Sequence, residues 1–175
     1  KLYKKAEQDF PDNPELLYNQ AVLSLTLGKQ QAANIYIEKY KSIRRENSWP
    51  EARITANIAG IYSEGDIPDK ALEYYQTALS LDPRNPVRMN NLAEFLIDKD
   101  RDFNKGLELA DKALEMDPEN YSYLNTKGWG LYKQGKYREA LEILEKSWEL
   151  KPVYDHEIFL HLEEARKTIA DNARN

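Results

Sequence analysis

The chain has 175 residues, 41% hydrophobic and 31% charged with acids and bases interleaved, which is the composition of a folded protein and excludes a disordered one. A net charge of −5 lacks the clustered basic face that nucleic acid requires, so no nucleic-acid partner is expected. The absence of cysteine excludes disulfides, thiolate metal sites and cysteine nucleophiles.

Residues 1–11, with Ala6 and Pro11, read as the end of a helix whose partner would precede the chain. Together with the Lys1 start, this predicts a fragment or processed chain whose parent continues upstream, with self-association possible through the open N-terminal end. The longest uncharged run, Leu16 to Gly28, is polar in places and too short to span a bilayer, so no membrane insertion is expected.

Further along, prolines follow similar apolar runs at Pro11, Pro83, Pro118 and Pro152. The last two intervals are 35 and 34 residues, and the first, 72, resolves into units of 34 and 38. Arg45 stands where the missing proline would fall, and the chain runs on through Ser48-Trp49-Pro50. In this register two columns of small residues line up: Ala21, Ala59, Ala93 and Gly128, then Ala33, Ala71, Gly106 and Ala140. Small side chains there let two antiparallel helices approach closely. Leu17, Met89 and Leu124 recur at one bulky place, and Ile37, Tyr75 and Leu144 at another; Gln20 departs from the pattern.

Glycines 28, 65 and 135 are expected to end helices in the left-handed conformation, with Asp98 to Asp102 replacing such a turn in the third unit. Asn13-Pro14 and Asn85-Pro86 are expected to cap helix starts, and Asp66 precedes Pro68 in a similar way.

These columns, turns and prolines resemble the tetratricopeptide repeat (TPR) family, best in the unit from Tyr121 to Pro152. The resemblance implies an all-α fold, a right-handed superhelical solenoid of antiparallel helix pairs. Its repeats fall at 14–49, 50–85, 86–120 and 121–153, preceded by a tail at 1–11. Residues 154–172, apolar at Ile158, Phe159, Leu162, Ala165 and Ile169, read as a capping helix. The turn phrases and cap are similar to those of bacterial envelope and lipoprotein repeats, a lean towards the envelope that leaves the cytoplasm open.

In this family the first helix of each pair lines a concave groove, and carrying its places over gives a lining of Tyr18, Asn19, Val22, Arg53, Asn57, Asn90, Asn91, Glu94, Asn125, Trp129, Tyr132 and Lys133. The partner so implied is a protein or an extended peptide. Asparagine recurs at one place, as Asn19, Asn57 and Asn91, and a carboxamide offers a donor and an acceptor together. Trp129 and Tyr18 are candidate anchors. The alternatives are that Trp129 packs against its neighbours, and that the chain is a spacer or accessory domain without its own ligand.

The family's clamp for chaperone tails needs basic residues where this chain has Val87 and Asn91, and Glu94 would repel a carboxylate, so chaperone-tail capture is not expected. Lys39, Lys41, Arg44, Arg45 and Arg53 lie among Glu38, Glu46 and Glu51 and read as a solvated helix face. His156 and His161 are five apart, about 140° round a helix, which does not suit a shared zinc ion. No catalytic residue, metal or cofactor is expected.

Overall fold

The computed structural model describes residues 11–173, so the expectations for residues 1–10 lie outside the described part. Among the described residues there are nine helices and no strand: α1 (Pro14–Thr26), α2 (Gln30–Glu46), α3 (Glu51–Glu64), α4 (Pro68–Leu81), α5 (Pro86–Asp98), α6 (Phe103–Met116), α7 (Tyr121–Lys133), α8 (Tyr137–Leu150) and α9 (His156–Asn172). None is long and apolar enough to cross a membrane. The chain divides into two compact units, Lys1–Asp82 and Pro83–Asn175.

In the first unit α1 packs on α2 and α3 on α4, and the first helices of the two pairs, α1 and α3, also touch. In the second unit the pairs are α5 with α6 and α7 with α8, while α9 packs on α8 and α7. The small-residue columns lie where each pair closes. Ala21, Ala33, Ala59, Ala71, Ala93 and Ala140 are fully buried, and a Cβ on Gly128 would stand 2.7 Å from Leu144 Cγ. At Gly106 it would stand 2.7 Å from Ile97 Cγ1. Leu17, Ile37, Leu124 and Leu144 fill the space beside them, and Gln20 is buried in its bulky place.

Side-chain caps define most helix starts. Asn13 accepts from the Leu16 amide, Asn85 from Val87 and Arg88, Asp102 from Lys105, Asn120 from Ser122 and Tyr123, and Asp155 from Glu157 and Ile158. The sequence expectation fails at α4. There the residue before Pro68 is Ile67, which makes no side-chain cap, and Asp66 lies in the turn instead.

Left-handed residues close the turn within each pair: Gly28 (φ 69°), Asp66 (φ 58°), Asp100 (φ 51°) and Gly135 (φ 79°). Gly65 is therefore a correction, since its φ is −78° and Asp66 takes the strained conformation after it. Gly65 is needed for space: its Cβ would lie 2.6 Å from Leu25 Cβ and 2.9 Å from the Ile61 carbonyl. In the longer first unit Ser48 is left-handed, and Arg45, in proline's place, spans the loop to pair with Glu51 at 2.7 Å.

The C-terminal helix buries Ile158, Leu162 and Ala165, with Leu162 and Ala165 against Leu144. Ser147 is fully buried and donates to the Tyr121 carbonyl at 2.6 Å, fixing the end of α8 to the start of α7.

The contrast at the α3–α4 turn is directly testable. Gly65→Ala should destabilise by about 1–3 kcal/mol through overpacking. Asp66→Gly should be neutral or raise the melting temperature, because glycine adopts positive φ without steric cost. Thermal unfolding of both variants checks the assignment, and the reverse order of stabilities would refute it.

Candidate functional site

Within each unit the residues expected to line a groove lie on the first helices of the pairs, and the structure sorts them into exposed, strutted and buried groups. In the first unit Asn19 is exposed and Val22 and Asn57 are half-buried. Asn57 Nδ2 donates to the Arg53 carbonyl at 2.8 Å, one turn back on its own helix. Tyr18 is a strut and not an open anchor: its hydroxyl donates to Glu64 at 2.6 Å and sits over Gly60, and its ring meets Tyr40 edge-on. Burial, then the bond to Glu64, pushes the Tyr18 pKa up, so it stays a neutral donor.

These helices border an open cavity of about 340 Å³ lined by Pro14, Glu15, Tyr18 and Asn19 of α1, Tyr40 and Arg44 of α2, and Asn57 of α3. At its edge the Trp49 indole is shared by two guanidinium groups, Arg44 at 3.9 Å and Arg53 at 3.6 Å from the ring centre. Arg53 alone of this pair was expected at the site. Arg44, Tyr40 and Trp49 come from a second helix and from the loop extension, places that the repeat pattern does not assign to the groove.

In the second unit Asn91 is half-buried and makes no side-chain hydrogen bond among the described residues. Asn90, 3% exposed, corrects the expected lining: it faces inward, and its Oδ1 has no partner among the described residues. Asn125, 6% exposed, is also withdrawn into the structure. Its Nδ2 donates to Glu157 at 3.1 Å, which leaves its Oδ1 to accept from His161 Nδ1 at 3.0 Å.

Trp129 is likewise engaged from within. Its ring stacks on Tyr132 at 4.8 Å and on His161 at 4.0 Å, nearly parallel to both. Tyr132 in turn bonds Glu164 and Thr168 of α9, while Lys133 pairs with Asp100 at 3.0 Å. His161, which stacks on Trp129, lies on the terminal helix, outside the repeat that carries Trp129.

Three carboxyls, Glu94, Asp98 and Glu157, line the space beside this stack. Burial, then the neighbouring Glu157 and Asp98, pushes Glu94 up to about 7. Asp98 and Glu157 are raised as well, chiefly by burial, but both keep solvent contact. Burial holds His161 down at about 4, so it is neutral over most of the pH range. The two histidines take separate partners, since His156 is exposed and bonded to Tyr154. No group of three or more potential metal ligands forms among the described residues.

Paired antiparallel helices closed by small residues, with the first helices of successive pairs in contact inside each unit, define an all-α helical-repeat protein. Models described as tetratricopeptide repeat match residues 52–85 and 98–153. The chain belongs to the tetratricopeptide repeat family. It is 31% identical over 86 residues to a TPR repeat-containing protein of Pseudomonas aeruginosa, a match covering 49% of this chain and 14% of that relative.

Among solved structures, the Sgt2 TPR domain of Aspergillus fumigatus superposes with a TM-score of 0.64 at 23% identity, over 73% of this chain and 84% of that one. The first TPR domain of Spaghetti (RPAP3), solved with the HSP90 peptide SRMEEVD, superposes with a TM-score of 0.59 at 21% identity, over 69% of this chain and 94% of that one. At these identities the structures share the fold.

The raised Glu94 and lowered His161 act on stability in opposite senses. The folded state holds an extra proton on Glu94 between pH 4.5 and about 7, so this group costs stability as pH rises through that window. The folded state resists protonating His161, so that group costs stability as pH falls from 6.5 towards about 4. Where the windows overlap the two slopes oppose each other, each being at most about 1.4 kcal/mol per pH unit. Glu94→Gln should therefore make stability climb between pH 4.5 and 6.5, and His161→Gln should make it fall, in urea unfolding measured across that range. Identical profiles for both variants and the parent would rule out the opposed titrations.

Proposed function

We propose that the chain is a protein-interaction scaffold that holds an extended peptide on the face of its first helices. The observation carrying this reading is the asparagine repeated at one place in the helix pairs. Asn19 and Asn91 have no partner of their own among the described residues, and Asn57 bonds only its own helix. Each carboxamide can bond a peptide backbone as donor and acceptor without demanding a particular side chain. A solved relative in fold, the first TPR domain of RPAP3, is bound to a peptide, which supports the same class of partner here.

The HSP90 peptide itself is not the proposed ligand. The third repeat offers Val87 and Asn91 where a carboxylate clamp needs cations, and Glu94 lies on the same helix. The curated relative is about seven times the length of the matched part, so the partner and activity of the parent protein remain part of the proposal.

A spacer reading, in which this region has no ligand of its own, is favoured by one observation. The largest aromatic expected in the groove, Trp129, is stacked on His161 of the terminal helix. The two readings separate in a capture experiment on lysate of the source cell, comparing the parent with an Asn19→Ala, Asn57→Ala, Asn91→Ala variant of equal helicity. The scaffold reading expects a protein retained by the parent and reduced at least several-fold on the variant. Equal retention would move binding off this face, and no specific retention would favour the spacer.

A further inference from the structure

The basic residues between α2 and α3 are not equivalent. Lys39 pairs with Asp12 at 3.0 Å, Lys41 with Glu38 at 2.9 Å, and Arg45 with Glu51 at 2.7 Å. The guanidinium groups of Arg44 and Arg53 make no ion pair and no hydrogen bond among the described residues; their contacts are with rings, both with Trp49 and Arg44 also with Tyr40. Arg44 Nε is buried without an acceptor. Within this stretch the two neighbouring guanidinium groups are thus set apart from the three cations that have a carboxylate partner.

Two like charges sharing one indole repel each other, and the ring's π face offsets that only in part. An anion placed beside them would remove the repulsion and supply the missing acceptors. The space is present, because Arg44 lines the 340 Å³ cavity together with Asn19, whose carboxamide N–H groups have no acceptor among the described residues. Two other polar groups of the wall are committed: the Tyr18 hydroxyl to Glu64 and the Asn57 amide N–H to the Arg53 carbonyl. Arg44 is the one guanidinium and Glu15 the one carboxylate of the wall; Glu15 is exposed and not paired with Arg44, and Arg53 adds a second guanidinium beside it at the shared indole.

We infer that Arg44 and Arg53, set by the Trp49 indole at the edge of this cavity, form a binding site for an anionic side chain of an extended peptide, a carboxylate or a phosphate group. The planar guanidinium fork takes both kinds of oxygen group in two-point hydrogen bonds. Trp49 acts as the positioning residue, holding the two groups close in the absence of ligand. The inference rests on the peptide-binding reading and names the chemistry that the first unit selects. It also revises the solvated-face reading of this stretch, which holds for Lys39, Lys41 and Arg45 and not for the two arginines at the indole.

The test is an NMR titration of the ¹⁵N-labelled chain, following the Trp49 indole N–H assigned with Trp49→Phe. Four capped probes are compared: pentaglutamate, a pentapeptide with one phosphoserine among glutamines, pentaglutamine and pentathymidylate. The site predicts that pentaglutamate or the phosphopeptide shifts Trp49 and the Asn19 side-chain amide, that added salt weakens the effect, and that pentaglutamine has none. The tighter of the two anionic peptides identifies the group.

Arg44→Gln and Arg53→Gln should each weaken binding by about tenfold or more, as loss of a charge-assisted bond requires, and Lys105→Gln, at a lysine paired with Glu108 in the other unit, should leave it unchanged. Arg53 is exposed, so its variant keeps the test valid if Arg44→Gln fails to fold. The inference is overturned if neither anionic peptide moves Trp49, if both arginine variants bind as the parent does, or if pentathymidylate alone binds. Peptide binding that survives both arginine variants but is lost in Asn19→Ala, Asn57→Ala, Asn91→Ala would remove this site and leave the scaffold reading standing.

Discussion

The close approach of paired helices at two small residues is the constraint on which the remaining structure depends. Where Ala21, Ala33, Ala59 and Ala71 meet their partner helices there is no room for a larger side chain, and Gly106 and Gly128 lack room even for a methyl group. Dispersion and burial at these contacts hold each pair. Stability placed there does not need the polar side chains of the first helices, and those of Asn19 and Asn91 make no hydrogen bond among the described residues. The same division lets Arg44 and Arg53 stand without acids, while the surrounding cations are paired.

Much of the fold was legible because close packing admits so few residue types. Alanine or glycine at two fixed places, repeated four times, points to one helix-pair geometry, and Asn-Pro announces a helix start because the carboxamide and the fixed proline φ act on adjacent residues. The turn at Gly65 shows where such reading stops. Glycine there meets a crowding requirement set by Leu25, which lies 40 positions earlier, and the positive φ passes to Asp66. Sequence shows that a glycine is needed and does not show which of its two properties is used.

The candidate site was less legible for a related reason. Register assigns a residue to a helix face, but whether that face is open depends on what comes to cover it. Trp129 and Asn125 occupy places that the repeat assigns to the groove, yet the terminal helix supplies His161 and Glu157 to engage them. Asn90 is turned inward despite its neighbour Asn91 remaining half-buried. Conversely, Arg44 and Trp49 joined the site from outside the pattern, through a second helix and a loop extension. The four-residue lengthening around Trp49 was visible as an irregularity of spacing, and its meaning emerged only from the stacking of two arginines on that ring.

If stability resides in the small-residue contacts, the asparagines of the first helices contribute little to it. Urea unfolding of Ala93→Leu against Asn19→Ala, Asn57→Ala, Asn91→Ala tests this most directly. The account predicts that the single overpacking change costs about 1–3 kcal/mol or more, while the three asparagine changes together stay within about 1 kcal/mol of the parent. A larger loss from the asparagine variant than from Ala93→Leu would show that those carboxamides serve the fold, and would contradict the account.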